Sequence, residues 1–101
     1  MRPIHIATLD MARPVVLLTR EIAVPYLTWV TVAPITSRIR GLSTEVLLDS
    51  LNGLDGPCVI SCDNITTIVR SDLGRMVGFL RADQEIELKA AISSAFALEF
   101  T

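Results

Sequence analysis

The sequence is poor in the side chains that usually build metal and disulfide sites. It has one histidine, His5, and two cysteines, Cys58 and Cys62, in a C-x3-C spacing with no second cysteine pair and no histidine nearby. Because a structural zinc site needs about four such ligands, this spacing predicts neither a metal site nor a cofactor. In a reducing compartment the cysteines are expected to be buried apolar residues or free thiols. His5 is expected to be an ordinary strand residue.

No apolar run is long enough to cross a membrane. The longest uncharged apolar-rich stretch, residues 22–37, has 16 residues and contains Pro25 and Pro34, whereas a membrane span needs roughly 18 or more. Asp10 and Arg13 interrupt the region in which a signal peptide would carry its apolar segment. The sequence therefore predicts a cytoplasmic protein without a membrane segment.

Positive charge is also scarce. The net charge is -2 and the pI is about 5.2, whereas domains that bind nucleic acid are usually basic. The charge is unevenly distributed, because residues 1–40 hold five arginines and two acidic residues while residues 41–101 hold four basic and nine acidic ones. Two interpretations stay open: the basic half forms a groove that binds phosphates, or its arginines are a scattered, solvated set.

The length of 101 residues predicts a single domain, residues 1–101, with a thin core. Half of the residues are hydrophobic and the mean hydropathy is +0.51, which is high for a small soluble monomer because a small fold has much surface for its volume. A subunit interface would cover the excess apolar surface. We therefore expect an obligate homodimer.

Turn signals divide the chain into short β-strands. Asn52-Gly53 and Asp55-Gly56 are strong turn signals, residues 20–26 leave room for at most one helical turn, and residues 71–75 are typical of a turn. Residues rich in Val, Ile and Thr between these points predict strands. The predicted strands are residues 3–9, 13–19, 27–36, 44–49, one bent strand or two over 58–69, and 76–80.

The last twenty residues change period and predict a helix. Leu88, Ile92, Ala95 and Phe96 form one apolar stripe at helical spacing, and three acidic residues lie near its start, where a helix N-terminus favours negative charge. The fold class is therefore mainly β with a C-terminal helix, as a small antiparallel β-barrel with the helix packed against it.

The order of several segments resembles a known family. ARPVVLLTRE is followed by VTVAPITSRIRGLSTEV, VISCDNITTI and SDLGRMVGFL, and then by the amphipathic helix. Over residues 4–98 this series is similar to the MazF (PemK) toxin endoribonucleases of type II toxin–antitoxin pairs. The most telling pieces are Arg13-Pro14, which opens a strand, and the Pro34-x-Thr36-Ser37 end of the third strand.

The resemblance implies both an architecture and an activity. The architecture is the SH3-like barrel of the MazF, CcdB and Kid toxins, assembled as a homodimer. The activity is sequence-selective cleavage of single-stranded RNA without a metal, leaving a 2′,3′-cyclic phosphate and a 5′-hydroxyl and so inhibiting translation and growth. A cognate, MazE-like antitoxin peptide is the implied partner that neutralises the toxin.

Three residues match the catalytic positions that this family implies. Arg13 and Thr36 match the arginine and threonine that face each other at the scissile phosphate. A guanidinium offers a fixed fork of donors for phosphate oxygens, and a hydroxyl adds one neutral donor. We assign Arg13 charge stabilisation first and acid catalysis second, because arginine stays protonated far above neutral pH. Asp63 matches an acidic position of some members and is the candidate base; alternatively, it bonds its own turn.

The residues around these three are expected to bind the flanking RNA backbone. They are Ser37, Arg38 and Arg40 in the loop after the third strand, and Asn64 beside Asp63. The alternative is structural: Thr36 and Ser37 merely end a strand, and the arginines solvate a hairpin.

The chain departs from the usual family pattern in three places. Only residues 10–12 fill a loop that is longer in typical members, and Ser61 stands where some members have an arginine. Aromatic side chains that could stack on bases are few, so the sequence predicts no base preference, and most of them are expected in the core or the dimer interface. They are Tyr26, Trp29, Phe79, Phe96 and Phe100.

Two other functions stay open at this point. A CcdB-like toxin poisons DNA gyrase by protein contact, but those toxins depend on a C-terminal tip with a tryptophan, whereas this chain ends ALEFT. A catalytically degenerate member would act only as a scaffold that binds antitoxin, which the shortened loop makes worth testing.

Overall fold

The computed structural model describes residues 1–98, and these form an antiparallel sheet followed by one α-helix. Short 3-10 turns connect several of the strands. The predicted bent segment over residues 58–69 is two strands separated by such a turn. The strands are β1 (Pro3–Thr8), β2 (Ala12–Leu17), β3 (Trp29–Thr36), β4 (Glu45–Leu48), β5 (Cys58–Ser61), β6 (Thr66–Val69) and β7 (Leu73–Phe79), and the helix is α1 (Ala82–Ala95).

Strand β3 organises the sheet. The strand order is β4-β5-β3-β2-β1-β7, with β6 also paired to β3. The first half of β3 pairs with β6, where Val32 faces Thr66, and its end pairs with β5, where Thr36 faces Val59. On its other edge β3 pairs with β2, with Val15 opposite Pro34. The polar end of β3 therefore lies where three strands meet.

Neighbouring residues of the strands point into two separate cores. Val16 and Ala33 lie in a core covered by α1, whereas Val15 and Val32 lie in a second core on the other side of the sheet. Both faces of β2 and β3 are buried, which explains the continuous apolar runs of these strands. Each fully buried valine contributes about 1.5–3 kcal/mol of transfer free energy. The buried parts of β2 and β3 therefore hold the polar ends of these strands in fixed positions.

The helix differs from the prediction at its last position. Leu88 is buried, and Ile92 and Ala95 pack against the same core. Phe96 instead lies after the end of α1 and is 57% exposed, so its inclusion in the buried stripe was wrong. The helix also buries a polar residue, Gln84, which the apolar pattern did not indicate.

The last strand begins earlier than predicted. Residues 73–75 belong to β7 rather than to a turn, and the turn is a 3-10 segment, Arg70–Asp72, directly before them. Gly74 was read as a turn residue, but a Cβ there would lie 2.7 Å from the carbonyl oxygen of Ile6 on β1. Glycine in a strand often lies where another backbone approaches closely, as Gly74 does here.

A buried pair of amides joins the two ends of the sheet. The Asn52 side chain donates to Gln84 Oε1 at 2.7 Å and accepts from Gln84 Nε2 at 3.1 Å. Asn52 also donates to the carbonyl of Phe79 on β7 and accepts from the amide of Asp49 after β4. Next to it, the Gly53 backbone contacts Val77 so closely that a Cβ would not fit. The segment after β4 is thus fastened to β7 and α1.

The aromatic side chains that the structure describes lie outside the core. Tyr26 is 87% and Trp29 58% exposed, and Phe79 and Phe96 are also exposed. Their expected place in the core was therefore wrong, while a place in a dimer interface stays a prediction. Phe100 lies outside the described residues.

Both cysteines are buried free thiols, as expected. Cys58 and Cys62 belong to the core that α1 covers. Burial, reinforced by the nearby Asp63 carboxylate, raises the pKa of the Cys62 thiol to about 11.

No helix in residues 1–98 is long and apolar enough to cross a bilayer.

Candidate active site

The pairing of β2 with β3 brings Arg13 and Thr36 together. The paired residues end with Val15 opposite Pro34, and Arg13 and Thr36 each lie two residues beyond this pair, at the same end of the two strands. Both residues are half-buried and line one cleft, so their polar ends reach solvent over apolar strands.

Asp10 holds the Arg13 guanidinium from one edge. Arg13 Nε donates to Asp10 Oδ1 at 2.8 Å and Nη2 donates to Oδ2 at 3.1 Å. The hydrogen bonds from Arg13 lower the pKa of the Asp10 carboxyl from its usual 3.8 to about 2, and the same contacts raise the pKa of Arg13. A guanidinium has five N–H donors, so this pair uses two and leaves the opposite edge for another anion.

The Thr36 hydroxyl is oriented by the loop that follows it. The backbone N–H of Arg38 donates to Thr36 Oγ1 at 3.2 Å, a local bond that threonine often makes at turns. Because this bond occupies an acceptor lone pair, the hydroxyl proton stays available for donation. The arrangement prepares Thr36 to donate to an oxyanion in the cleft.

Asp63 lies in the same cleft and bonds to a different segment of the chain. The Thr44 hydroxyl, just before β4, donates to Asp63 Oδ2 at 2.7 Å. Asp63 is exposed, and its side chain bonds to Thr44 rather than to its own turn. The neighbouring Asn64 donates to Ser61 Oγ at 2.8 Å. Ser61, which stands where some family members have an arginine, therefore stabilises the turn that carries Asp63.

Glu45 shapes the loop that carries the two exposed arginines. Its carboxylate accepts from the backbone N–H groups of Arg40, Gly41 and Leu42 at 2.8–3.1 Å. The backbone of the loop is therefore ordered while the side chains of Arg38 and Arg40 remain exposed. Among residues 1–98 neither guanidinium forms an ion pair, so both charges are available to an anionic ligand.

Together these residues form one open cleft of about 570 Å³, here called the Asp63 cleft. Ser37 is the exception among the predicted residues, since it lines a neighbouring cleft and not this one. Among residues 1–98 no group of three or more His, Cys, Asp or Glu side chains could hold a metal ion. The lining residues with polar side chains are Asp10, Arg13, Thr36, Arg38, Arg40, Glu45, Ser61, Asp63 and Asn64.

Sequence reasoning did not assign three polar residues of this cleft to the site: Asp10, Glu45 and Ser61. Asp10 was considered as a break in a signal-peptide region and as part of a short loop, although its spacing of three residues from Arg13 across a tight hairpin could have indicated the pair. Glu45 was read as a plain strand residue. Its contacts with three consecutive backbone amides depend on the fold of the loop, and no side-chain pattern in the sequence indicates them.

Comparisons with known proteins agree with this architecture. The profile of the family described as the PemK-like, MazF-like toxin of type II toxin–antitoxin systems matches residues 7–96. The chain is 60% identical over 100 residues to the endoribonuclease MazF3 of Mycobacterium tuberculosis H37Rv, covering 99% of this chain and 97% of that protein.

Two solved structures extend the comparison. The Mycobacterium tuberculosis toxin MazF-mt6 superposes with a TM-score of 0.95 at 60% identity, covering 98% of this chain and 100% of the other. A mycobacterial endoribonuclease in complex with its cognate antitoxin has a TM-score of 0.86 at 20% identity, covering 98% and 95%, and so shares the fold. These matches confirm the predicted mainly β fold with a C-terminal helix. The chain belongs to the PemK-like, MazF-like toxins of type II toxin–antitoxin systems.

Proposed function

We propose that this toxin is a sequence-selective endoribonuclease that cuts single-stranded RNA in the Asp63 cleft, without a metal or another cofactor. The class of enzyme follows from the family and from the 60% identical relative, which is named an endoribonuclease. The observation that carries the assignment to this cleft is the juxtaposition of Arg13 and Thr36 at the open ends of two paired strands.

The proposed reaction is an attack by the RNA on its own backbone. The 2′-oxygen loses its proton to a base and bonds to the adjacent phosphorus, while the bond from phosphorus to the 5′-oxygen breaks. The leaving 5′-oxygen takes a proton from solvent water, which the open cleft admits, so the products are a 2′,3′-cyclic phosphate and a 5′-hydroxyl. The free edge of the Arg13 guanidinium and the Thr36 hydroxyl stabilise the extra negative charge on the phosphate oxygens. Donors fixed in advance lose little freedom when the charge develops, which favours the transition state over the bound substrate.

Asp63 is the proposed base that takes the proton from the 2′-hydroxyl. Three carboxylates line the cleft, those of Asp10, Glu45 and Asp63, and their surroundings separate their roles. The Glu45 carboxylate already accepts from three backbone N–H groups of the loop after β3. Asp10 is bonded through both oxygens to Arg13, and its pKa of about 2 makes it a weak base. Asp10 therefore acts as a positioning residue for Arg13. Asp63 accepts from the neutral Thr44 hydroxyl and is exposed to the cleft.

The Asp10 pair also bears on the second role assigned to Arg13. Because the pair raises the pKa of Arg13, this guanidinium is an even poorer proton donor than an isolated one. Charge stabilisation is therefore the role we keep for Arg13, and acid catalysis by it is disfavoured.

Four residues are proposed to bind the RNA backbone next to the scissile phosphate. Arg38 and Arg40 supply unpaired positive charge in the Asp63 cleft, and Asn64, which also lines it, supplies an amide. Ser37 contributes a hydroxyl from the neighbouring cleft. Charge-assisted contacts of this kind make RNA binding sensitive to salt through counterion release.

The proposed partners of the toxin are a cognate MazE-like antitoxin and a second copy of the chain. An antitoxin is part of the system that the family name describes. A homodimer would cover exposed apolar side chains such as Ile22, Tyr26 and Trp29. Because the substrate is RNA inside the cell, we place the toxin in the cytoplasm, where its cuts would inhibit translation and growth until antitoxin binds.

One experiment tests the function. Purified protein is incubated with a long RNA in EDTA, beside Arg13→Ala and Thr36→Ala variants. We expect cuts in the wild type and a loss of roughly 100-fold or more in each variant, the scale of removing one oxyanion-hole donor. End analysis should give cyclic phosphate and 5′-hydroxyl termini.

The outcomes separate the alternatives. Intact RNA together with gyrase inhibition would replace the proposal with a CcdB-like toxin, and neither activity would leave an antitoxin-binding scaffold. Circular dichroism of both variants controls for folding, since Arg13 and Thr36 are half-buried rather than fully exposed.

A further inference from the structure

A second cleft meets the Asp63 cleft at the proposed catalytic residues. It has a volume of about 450 Å³, and we call it the Arg75 cleft. The two clefts share Arg13, Ile35 and Thr36, and the rest of their walls differs. The Arg75 cleft is walled by residues 53–58 and by β1 and β7, whereas the Asp63 cleft is walled by the loop after β3 and the turn after β5. Arg13 and Thr36 thus form a ridge between two open spaces.

The cleft carries a positive charge without a partner. Arg75 is exposed on β7, and within residues 1–98 its guanidinium makes neither a hydrogen bond nor an ion pair. Asp55 lies in the wall of the same cleft but forms no ion pair with it. A guanidinium in this state matches a phosphate through its planar fork of donors.

Part of the wall is apolar. Ile6, Met11, Leu54 and Val77 line it, and Met11 is 58% exposed. Apolar side chains and a polarisable thioether suit the face of a nucleobase. The volume is within the range of about 300–1,000 Å³ that small-ligand sites occupy, and only three residues in the β1–β2 loop leave this side open.

We propose that the Arg75 cleft binds one of the two nucleotides that flank the scissile phosphate. Arg75 would contact the phosphate of that nucleotide, and the apolar part of the wall would contact its base. This inference rests on the proposed function. It makes the RNA strand continuous across the ridge: one flank occupies the Asp63 cleft and the opposite flank occupies the Arg75 cleft. Arg75 and Arg40 therefore contact opposite flanks of the cut.

The test uses three RNAs and three variants. One RNA extends several nucleotides on both sides of a mapped cut site, and each of the others keeps a single nucleotide on one side. Single-turnover cleavage is measured against protein concentration for Arg75→Ala, Arg40→Ala and the matched control Arg20→Ala. Arg20 is exposed and lines neither cleft, so its removal changes the net charge equally.

We expect Arg75→Ala to raise the half-saturating protein concentration about tenfold on the long RNA, the scale of one charge-assisted hydrogen bond. The effect of Arg75→Ala should persist on the RNA that lacks the flank bound in the Asp63 cleft. It should vanish on the RNA that lacks the flank bound in the Arg75 cleft. Arg40→Ala should give the reverse pattern, and Arg20→Ala should change each value less than twofold. Arg75→Lys should recover part of the binding, which a purely structural role would not predict.

Each other outcome overturns the inference. If Arg75→Ala behaves like Arg20→Ala, or if Arg75 and Arg40 respond to the same flank, the second subsite is wrong while the nuclease stands. If Arg75→Ala weakens only the binding of an antitoxin peptide, the cleft belongs to the protein partner. A wild type that cuts none of the RNAs overturns the proposed function itself.

Discussion

The buried pair of Asn52 and Gln84 should be a principal source of stability, and Asn52→Ala tests it. The Asn52 side chain makes four hydrogen bonds, two of them to Gln84 and one each to Phe79 and Asp49. The residue is 1% exposed. Its truncation therefore removes all four bonds in a place from which water is excluded.

The expected cost follows from these contacts. A hydrogen bond contributes about 1 kcal/mol net, and a buried polar group left without a partner costs about 1–3 kcal/mol. Gln84 keeps its bond from the Arg81 N–H, so part of its amide stays satisfied. We expect Asn52→Ala to lower the free energy of unfolding by about 3 kcal/mol, or the melting temperature by roughly 12–24 °C for a domain of this size.

Urea denaturation measures this change and is run at fixed protein concentration, because the proposed homodimer would make stability depend on concentration. Leu51→Ala is the matched control: it lies in the same 3-10 turn but is exposed, so we expect less than about 0.5 kcal/mol. The double variant Asn52→Leu with Gln84→Leu should cost less than the sum of the two single changes, because no buried amide is left unpaired. A loss below about 1 kcal/mol in Asn52→Ala, with an unchanged m-value, would refute the reasoning.

Three further predictions concern the site and the thiols. Asp10→Asn should slow cleavage about tenfold or more, because Arg13 loses its orientation, and an unchanged cleavage rate would contradict a positioning role. The lowered pKa of Asp10 stabilises the folded protein above about pH 4, and this stabilisation is lost as the pH falls from about 4 to 2. Asp10→Asn should therefore remove that part of the acid destabilisation of the wild type. Glu45→Ala frees three backbone amides of the arginine loop and should weaken RNA binding severalfold in a filter-binding assay, whereas Glu87→Ala on the helix should leave it unchanged. Cys62 should resist iodoacetamide at pH 8 until urea unfolds the protein, since its pKa of about 11 and its burial keep the thiol protonated and shielded; fast labelling of folded protein, followed by mass spectrometry, would argue against that burial.

Much of the architecture could be predicted from local patterns. The β-branched runs of β2 and β3 and the turn signals at Asn52-Gly53 reflect preferences that each segment carries by itself. The polar end of β3 also indicated a candidate site by a local pattern, because Thr36 interrupts an apolar strand at the point where the strand leaves the core.

What escaped prediction depends on contacts between distant segments. Gly74 resembles a turn glycine, yet it lies within a strand because β1 passes too close for a side chain. Gln84 looks like a surface residue of α1, yet Asn52, 32 positions earlier, buries and satisfies it. The bond from Thr44 to Asp63 likewise joins residues 19 positions apart. In such cases the spacing of residues along the chain does not indicate which residues lie close together or which of them bond to each other.

The ridge formed by Arg13 and Thr36 bears on which molecules the toxin can attack. A blind pocket would have to receive a terminus, whereas a ridge open on two sides can be straddled by the middle of a chain. Topology of the polymer then places no restriction on cleavage: a covalently closed circle should be linearised as readily as an open strand of the same sequence. The accessibility of unpaired loops, rather than the distance from either end, would decide where a folded transcript is cut.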